Sequence, residues 1–286
     1  MTTDSTVLPE HAIWQQFLNE KQPAHFYHAN GFPLNVYTPF LSELKQHFSL
    51  SALQIRPTWE ANEDLPKSRD WDLYANDLIA FIEQHCSTPI IGIGHSLGGA
   101  STVIAATKRP ELFQSIVLVE PAMVSRPLSL FMHVVPKALL NLTQPAKGTL
   151  RKRDSWSSRE AFIDEYKHHP IYKNFNEQAL DSLAQHAVKK NSKEEYQLVY
   201  PKNWEAHIYT KPPCLMNKLQ NLKVPCVAIR GKPSFFFPDK LWNKWQKTCP
   251  NTIFLEDFNA GHLIPLEEPI QCCELILKGL RELSKQ

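Results

Sequence analysis

The sequence is poor in glycine, in motif-spaced cysteine and in long apolar runs. Only nine of 286 residues are glycine, against ordinary usage of roughly 7%. That excludes collagen-like and glycine-rich chains and makes the position of each glycine informative. The six cysteines (Cys86, Cys214, Cys226, Cys249, Cys272 and Cys273) form neither a C-x-x-C pair nor a zinc-like spacing with histidine, so reduced thiols are expected. No run reaches the roughly 20 apolar residues that cross a bilayer. The most apolar one, Leu128 to Leu140, is broken by Ser129, His133, Pro136 and Lys137. Met1 to Trp14 has no basic start followed by an apolar run, so no secretory signal is expected and the chain reads as cytoplasmic. A net charge of +2 gives no argument for nucleic acid. Phosphate-loop, G-x-G-x-x-G and H-E-x-x-H motifs are all missing, which leaves nucleotide and metal cofactors without a foothold. The remaining expectation is cofactor-free chemistry on a small-molecule substrate, with the oligomeric state open.

What is present has ordinary globular composition, 43% hydrophobic and 21% charged. Ala24–Tyr27, Leu50–Ile55, Pro89–Ile93, Ser115–Val119, Val224–Ile229 and Thr252–Leu255 read as short strands between turn signals. Helical spacing recurs between them, in Trp71, Tyr74, Leu78, Phe81 and Ile82, in Leu241, Trp242 and Trp245, and from Pro269 to Leu280. Alternating strands and helices predict an α/β fold, a mostly parallel sheet covered on both faces. From 121 to 215 the rhythm changes to helical patterns (Leu128–Leu140, Ser158–Tyr166, Asn176–Lys190) without a convincing strand. Residues 121–220 also carry fifteen Lys or Arg against nine Asp or Glu. We therefore expect a catalytic core of 1–120 and 216–286, interrupted by a helical cap at 121–215.

The chemistry concentrates at Pro89–Ala100, an apolar strand, a G-x-S-x-G turn (Gly94-His95-Ser96-Leu97-Gly98) and a small-residue helix start. A serine hydroxyl is a weak nucleophile. It gains strength on a tight strand-to-helix turn, where a base can reach it and the helix N-terminus favours developing negative charge.

Together with His28-Ala29-Asn30-Gly31-Phe32-Pro33 after the first strand and Gly261-His262 near the end, this turn resembles the α/β-hydrolase superfamily, in the same order along the chain. The resemblance implies Ser96 as nucleophile, His262 as general base, and an oxyanion hole from the backbone amides of Asn30 and Leu97. Asn30 is also similar to the asparagine that dehalogenases of this fold place near the halide, but the turn carries serine where those enzymes need aspartate.

The same resemblance places the third triad member about three residues beyond a glycine after the penultimate strand. That position reads Gly231-Lys232-Pro233-Ser234-Phe235, without an acid. An alternative arrangement in the superfamily sets the acid after the strand that follows the nucleophile helix, and Ser115–Val119 ends in Glu120. Glu120 is therefore expected as the acid, with a structural or entrance carboxylate as its plain alternative. Asp239 is the main rival, and Glu256 and Asp257 are lesser ones.

Phe131, Met132, Trp156, Tyr172, Trp204 and Tyr209 are candidates to line a pocket under the cap, although aromatic residues on amphipathic helices more often pack against each other. The basic stretch Lys147, Arg151, Lys152, Arg153 and Arg159 reads as a solvated loop or as attraction for an anionic group. The function expected is a serine hydrolase of ester-like carbonyl substrates. A cofactor-free lyase and a non-catalytic binding protein on the same scaffold remain as alternatives.

Overall fold

The computed structural model describes residues 8–16, 21–59, 64–232, 234 and 236–286. Pro233, Phe235 and the first seven residues of the Met1–Trp14 stretch lie outside them. The described residues form ten strands: β1 (Ile13–Gln16), β2 (Pro23–Tyr27), β3 (Ser49–Leu53), β4 (Ile90–His95), β5 (Phe113–Val119), β6 (Ser155–Trp156), β7 (Val188–Lys190), β8 (Tyr196–Leu198), β9 (Cys226–Gly231) and β10 (Ile253–Asp257). Seven of them make one sheet in the order β1-β3-β2-β4-β5-β9-β10. All neighbours run parallel except β1, which pairs antiparallel with β3 at the edge.

Strand periodicity explains why the sheet is covered twice. In β5, Ile116 and Leu118 enter one apolar cluster while Val117 and Val119 enter the other, and Cys226 and Ala228 alternate with Val227 and Ile229 in β9. A strand apolar on both faces needs a layer on each. On the first face Leu78, Val103, Trp242 and Trp245 come from helices Asp72–His85, Leu97–Lys108 and Asp239–Thr248. On the second, helices Thr38–Leu44 and Pro269–Leu283 supply Phe40, Leu41, Cys272 and Ile276. No helix among the described residues is long and apolar enough to cross a membrane.

The six strands anticipated from the sequence are all present, within three residues at their ends. Edge strand β1 is an addition. Between β5 and β9 the expectation of helices alone needs correcting, because β6, β8 and β7 make a small antiparallel sheet. These strands are two or three residues long, and Lys189, Lys190 and Gln197 deprive them of the alternating apolar pattern that signals a strand. The anticipated helix Asn176–Lys190 accordingly stops at His186 and continues as β7. Pro136 divides the anticipated helix Leu128–Leu140 into Arg126–Val134 and Lys137–Leu140, since proline excludes the helical region for the residue before it.

Candidate active site

The strand order brings five loops to one edge of the sheet. β2, β4, β5, β9 and β10 are consecutive neighbours, and the segments leaving their C-terminal ends contain Asn30, Ser96, Glu120, Ser234 and His262. Parallel sheets bind ligands at this edge because the chain turns into helices there.

Ser96 occupies the turn from β4 into helix Leu97–Lys108 with φ of 52°. Such a left-handed conformation is strained for a residue with a side chain and persists where the surroundings overdetermine it. Here they do. The Ser96 amide donates to the Val119 carbonyl at 3.1 Å, and its own carbonyl accepts from Ala100 and Ala122. Gly98 lets the helix start press against the loop after β2, since a Cβ there would lie 1.9 Å from the Tyr27 oxygen. The Gly98 amide instead donates to the His28 carbonyl at 3.1 Å. This contact holds the helix start that carries Leu97 against the loop that carries Asn30, and Asn30, Ser96 and Leu97 line one cavity.

His262 joins Ser96 to Glu120. Its Nε2 lies 3.1 Å from Ser96 Oγ, and its Nδ1 lies 2.9 Å from Glu120 Oε2. Glu120 is fully buried and also has positive φ, 47°. Its carboxylate accepts from the Gly231 amide at 2.8 Å and from Ser234 Oγ at 2.6 Å. The rival acids are elsewhere. Asp239 and Glu256 both pair with the buried Arg230, and Asp257 accepts from the Asn259 amide. Gly231 also allows the His262 loop to approach, for a Cβ at that position would lie 2.2 Å from the Gly261 oxygen.

Four further residues that sequence reasoning passed over hold this arrangement. Ser234, at the position where the acid was sought and missed, donates to Glu120. His95, the variable residue of the G-x-S-x-G turn, donates from Nε2 to the His262 carbonyl at 2.9 Å. Its Nδ1 accepts from the Tyr37 hydroxyl at 2.8 Å, and that hydroxyl in turn receives the Ala29 amide. Burial pushes the His95 imidazole well below its ordinary value, so it is neutral and can play both parts. Tyr200 donates to Asn30 Oδ1 at 2.8 Å while Asn30 Nδ2 donates to the Glu205 carbonyl, which fixes the loop after β2. No short-range pattern marks these four, because each acts across more than fifty residues of chain.

Above Ser96 opens a cavity of about 620 Å³, mostly apolar, in which Lys152 and Glu205 form an ion pair on the wall. Of the six aromatic and Met candidates, Phe131, Met132, Tyr172 and Tyr209 line it. Trp156 packs against Phe162 and Tyr166, and Trp204 is buried in the first-face cluster. Within the basic stretch, Lys152 is taken by Glu205, Arg153 sits over Trp156, and Arg159 over Tyr196.

A family model described as the alpha/beta hydrolase fold matches residues 56–269. The chain belongs to the α/β-hydrolase fold family. As an α/β hydrolase it is 29% identical to the type I acyl-CoA thioesterase mpaH' of Penicillium brevicompactum over 174 residues, 56% of this chain and 38% of that protein. It is 29% identical to the monoglyceride lipase of Mus musculus over 109 residues, 36% of each chain. The matched part thus spans little more than a third of these curated relatives. Among solved structures, E-2-(acetamidomethylene)succinate hydrolase superposes with a TM-score of 0.77 over 94% of both chains at 17% identity, a likeness of fold.

Proposed function

We propose that this α/β hydrolase is a serine hydrolase that cleaves an ester-like bond in a predominantly apolar acyl substrate, with residues 121–215 as the cap over its site. The unbroken hydrogen-bonded chain from Glu120 through His262 to Ser96, at the floor of the apolar cavity, carries this reading. Ser96 Oγ passes its proton to His262 Nε2 as the oxygen attacks the carbonyl carbon. Nδ1–H stays on Glu120, which orients the ring and stabilises its charged form. The amides of Asn30 and Leu97 receive the developing oxyanion, and removal of one such donor typically lowers kcat about a hundredfold or more. His262 then protonates the leaving group, and water resolves the acyl-enzyme by the reverse proton transfers.

The relatives support the same coarse chemistry: one is named a thioesterase and one a monoglyceride lipase. The wall of the cavity favours a substrate that is apolar over most of its length, with one polar feature near Lys152 and Glu205. Six unpaired cysteines fit a reducing, cytoplasmic setting.

A fluorophosphonate probe tests the nucleophile, and an acyl-ester panel tests turnover. Labelling that disappears in Ser96→Ala, with hydrolysis in the parent, is expected. Labelling that persists in the variant rejects Ser96. Good labelling without turnover of any ester turns the assignment toward a lyase, and absence of both toward a binding protein.

A further inference from the structure

The segment that follows β5 differs chemically from the rest of the surface. Residues 121–153 hold Arg126, Lys137, Lys147, Arg151, Lys152 and Arg153 and not one Asp or Glu. Within it, helix Arg126–Val134 buries only Ser129. Leu130 is 59% exposed and Val134 80%, and Leu128 and Phe131 stand beside them. Leu139 and Leu142, in the turn that follows, are likewise more than half exposed. Six large apolar side chains exposed within fifteen consecutive residues are unusual on a chain that meets only water.

Two further observations narrow what covers it. The first is continuity with the cavity, since Leu128 and Phe131 belong to both the patch and the cavity wall, and the buried Leu140 of the next turn lines that wall as well. The second is charge. Among the described residues Arg126, Lys137, Lys147 and Arg151 make no ion pair, whereas the acids on the adjoining surface are taken, Asp70 by Lys211 and Asp72 by Lys108. A second copy packed patch to patch would bring these cations together, which opposes association. An anionic lipid surface satisfies both halves, because apolar side chains enter the acyl boundary while cations meet headgroup phosphates.

We infer that residues 126–142 dock this protein on an anionic phospholipid bilayer, with the mouth of the cavity facing the lipid. An apolar substrate then passes from membrane to site without crossing water, and product returns the same way. The docking itself needs no turnover, so it stands apart from the assignment of Ser96.

Co-sedimentation of the full chain with phosphatidylcholine vesicles, with and without phosphatidylglycerol, tests this. Binding to the anionic vesicles is expected to be at least about tenfold tighter and to weaken as salt is added. Leu130→Ser combined with Val134→Ser is expected to weaken it roughly tenfold or more, and Arg126→Gln or Lys147→Gln about fivefold each. Arg126, Leu130 and Val134 are exposed and Lys147 is half-buried, and an unchanged melting temperature shows that each variant is folded. Ser96→Ala is expected to bind as the parent does. The inference is overturned if the parent ignores anionic vesicles, binds neutral ones equally well, or binds unchanged after loss of Leu130 and Val134. It is also overturned if the parent is a dimer that these two substitutions convert to monomer without any vesicle binding.

Discussion

The floor and the mouth of the cavity are built on opposite terms. At the floor, Ser96, Glu120 and His95 are buried, two of them are held at positive φ, and each makes hydrogen bonds to segments remote in sequence. On the segment that the inferred docking sets at the mouth, Leu130, Val134 and Leu142 are exposed, and helix Arg126–Val134 buries only Ser129. Strain is tolerated where packing and hydrogen bonds leave no alternative. Exposed apolar surface is tolerated where another phase meets it. The contrast separates a part of the molecule whose function is fixed geometry from a part whose function is contact.

The largest expected effect breaks the floor at its deepest point. Glu120→Gln keeps the size of the side chain but removes the charge that faces His262, and kcat should fall about a thousandfold to ten-thousandfold. Asp239→Asn should leave kcat unchanged, because the exposed Asp239 is engaged with Arg230 rather than with His262. Steady-state kinetics on any turned-over ester checks both, and a fully active Glu120→Gln enzyme would reject Glu120 as the acid.

This pair of substitutions also shows where the sequence was legible. The turn at Ser96 could be read because strand, glycines and small helix residues lie within twelve consecutive positions, and turn geometry is a local property. The six central strands could be read for the same reason. Which carboxylate meets His262 is not local. It depends on β9 lying between β5 and β10, so that the loop after β10 folds over the strand end carrying Glu120. It depends too on Arg230, whose pairing with Asp239 and Glu256 withdraws both rivals. Strands β6, β7 and β8 stayed hidden because their pairing, rather than any apolar pattern of their own, makes them strands. The role of Ser234 was obscured by a search for an acid at its place, where a hydroxyl serves an acid supplied by another strand.

A second test asks how far the rigid region depends on uncharged imidazoles. Burial lowers His28 to about 4 and His25 to about 3, and puts His95 well below its usual range. His28 accepts from the Ile55 amide, and His25 Nε2 has no partner among the described residues, so neither site welcomes a proton. Folded values below the free value of about 6.5 mean that the unfolded chain binds protons more readily. The stabilisation is therefore complete above about pH 6.5 and is lost as pH falls toward the folded values. At pH 5 His25 and His28 should each cost about 2 kcal/mol. Urea unfolding at pH 7.5 and pH 5 measures the drop, and His25→Phe should make it smaller by about that amount. An unchanged pH slope in His25→Phe would contradict the argument.

The smallest effect sharpens the comparison most, because it removes one atom from the floor and leaves the mouth untouched. Ser234→Ala deletes the hydroxyl that donates to Glu120 at 2.6 Å and accepts from the Phe237 amide at 3.1 Å. Glu120 retains the Gly231 amide and His262, so its carboxylate stays in place but is less tightly oriented. A hydrogen bond to a charged group contributes about 1.5 to 3 kcal/mol, and part of that is recovered when water enters the gap. We expect kcat to fall about tenfold with KM nearly constant, since the Ser234 side chain serves Glu120 rather than bound substrate. Ser234→Thr, which keeps the hydroxyl, should restore most of the rate. A change confined to KM would instead place Ser234 against the substrate, and the distinction between a floor that orients and a mouth that binds would have to be redrawn at this residue.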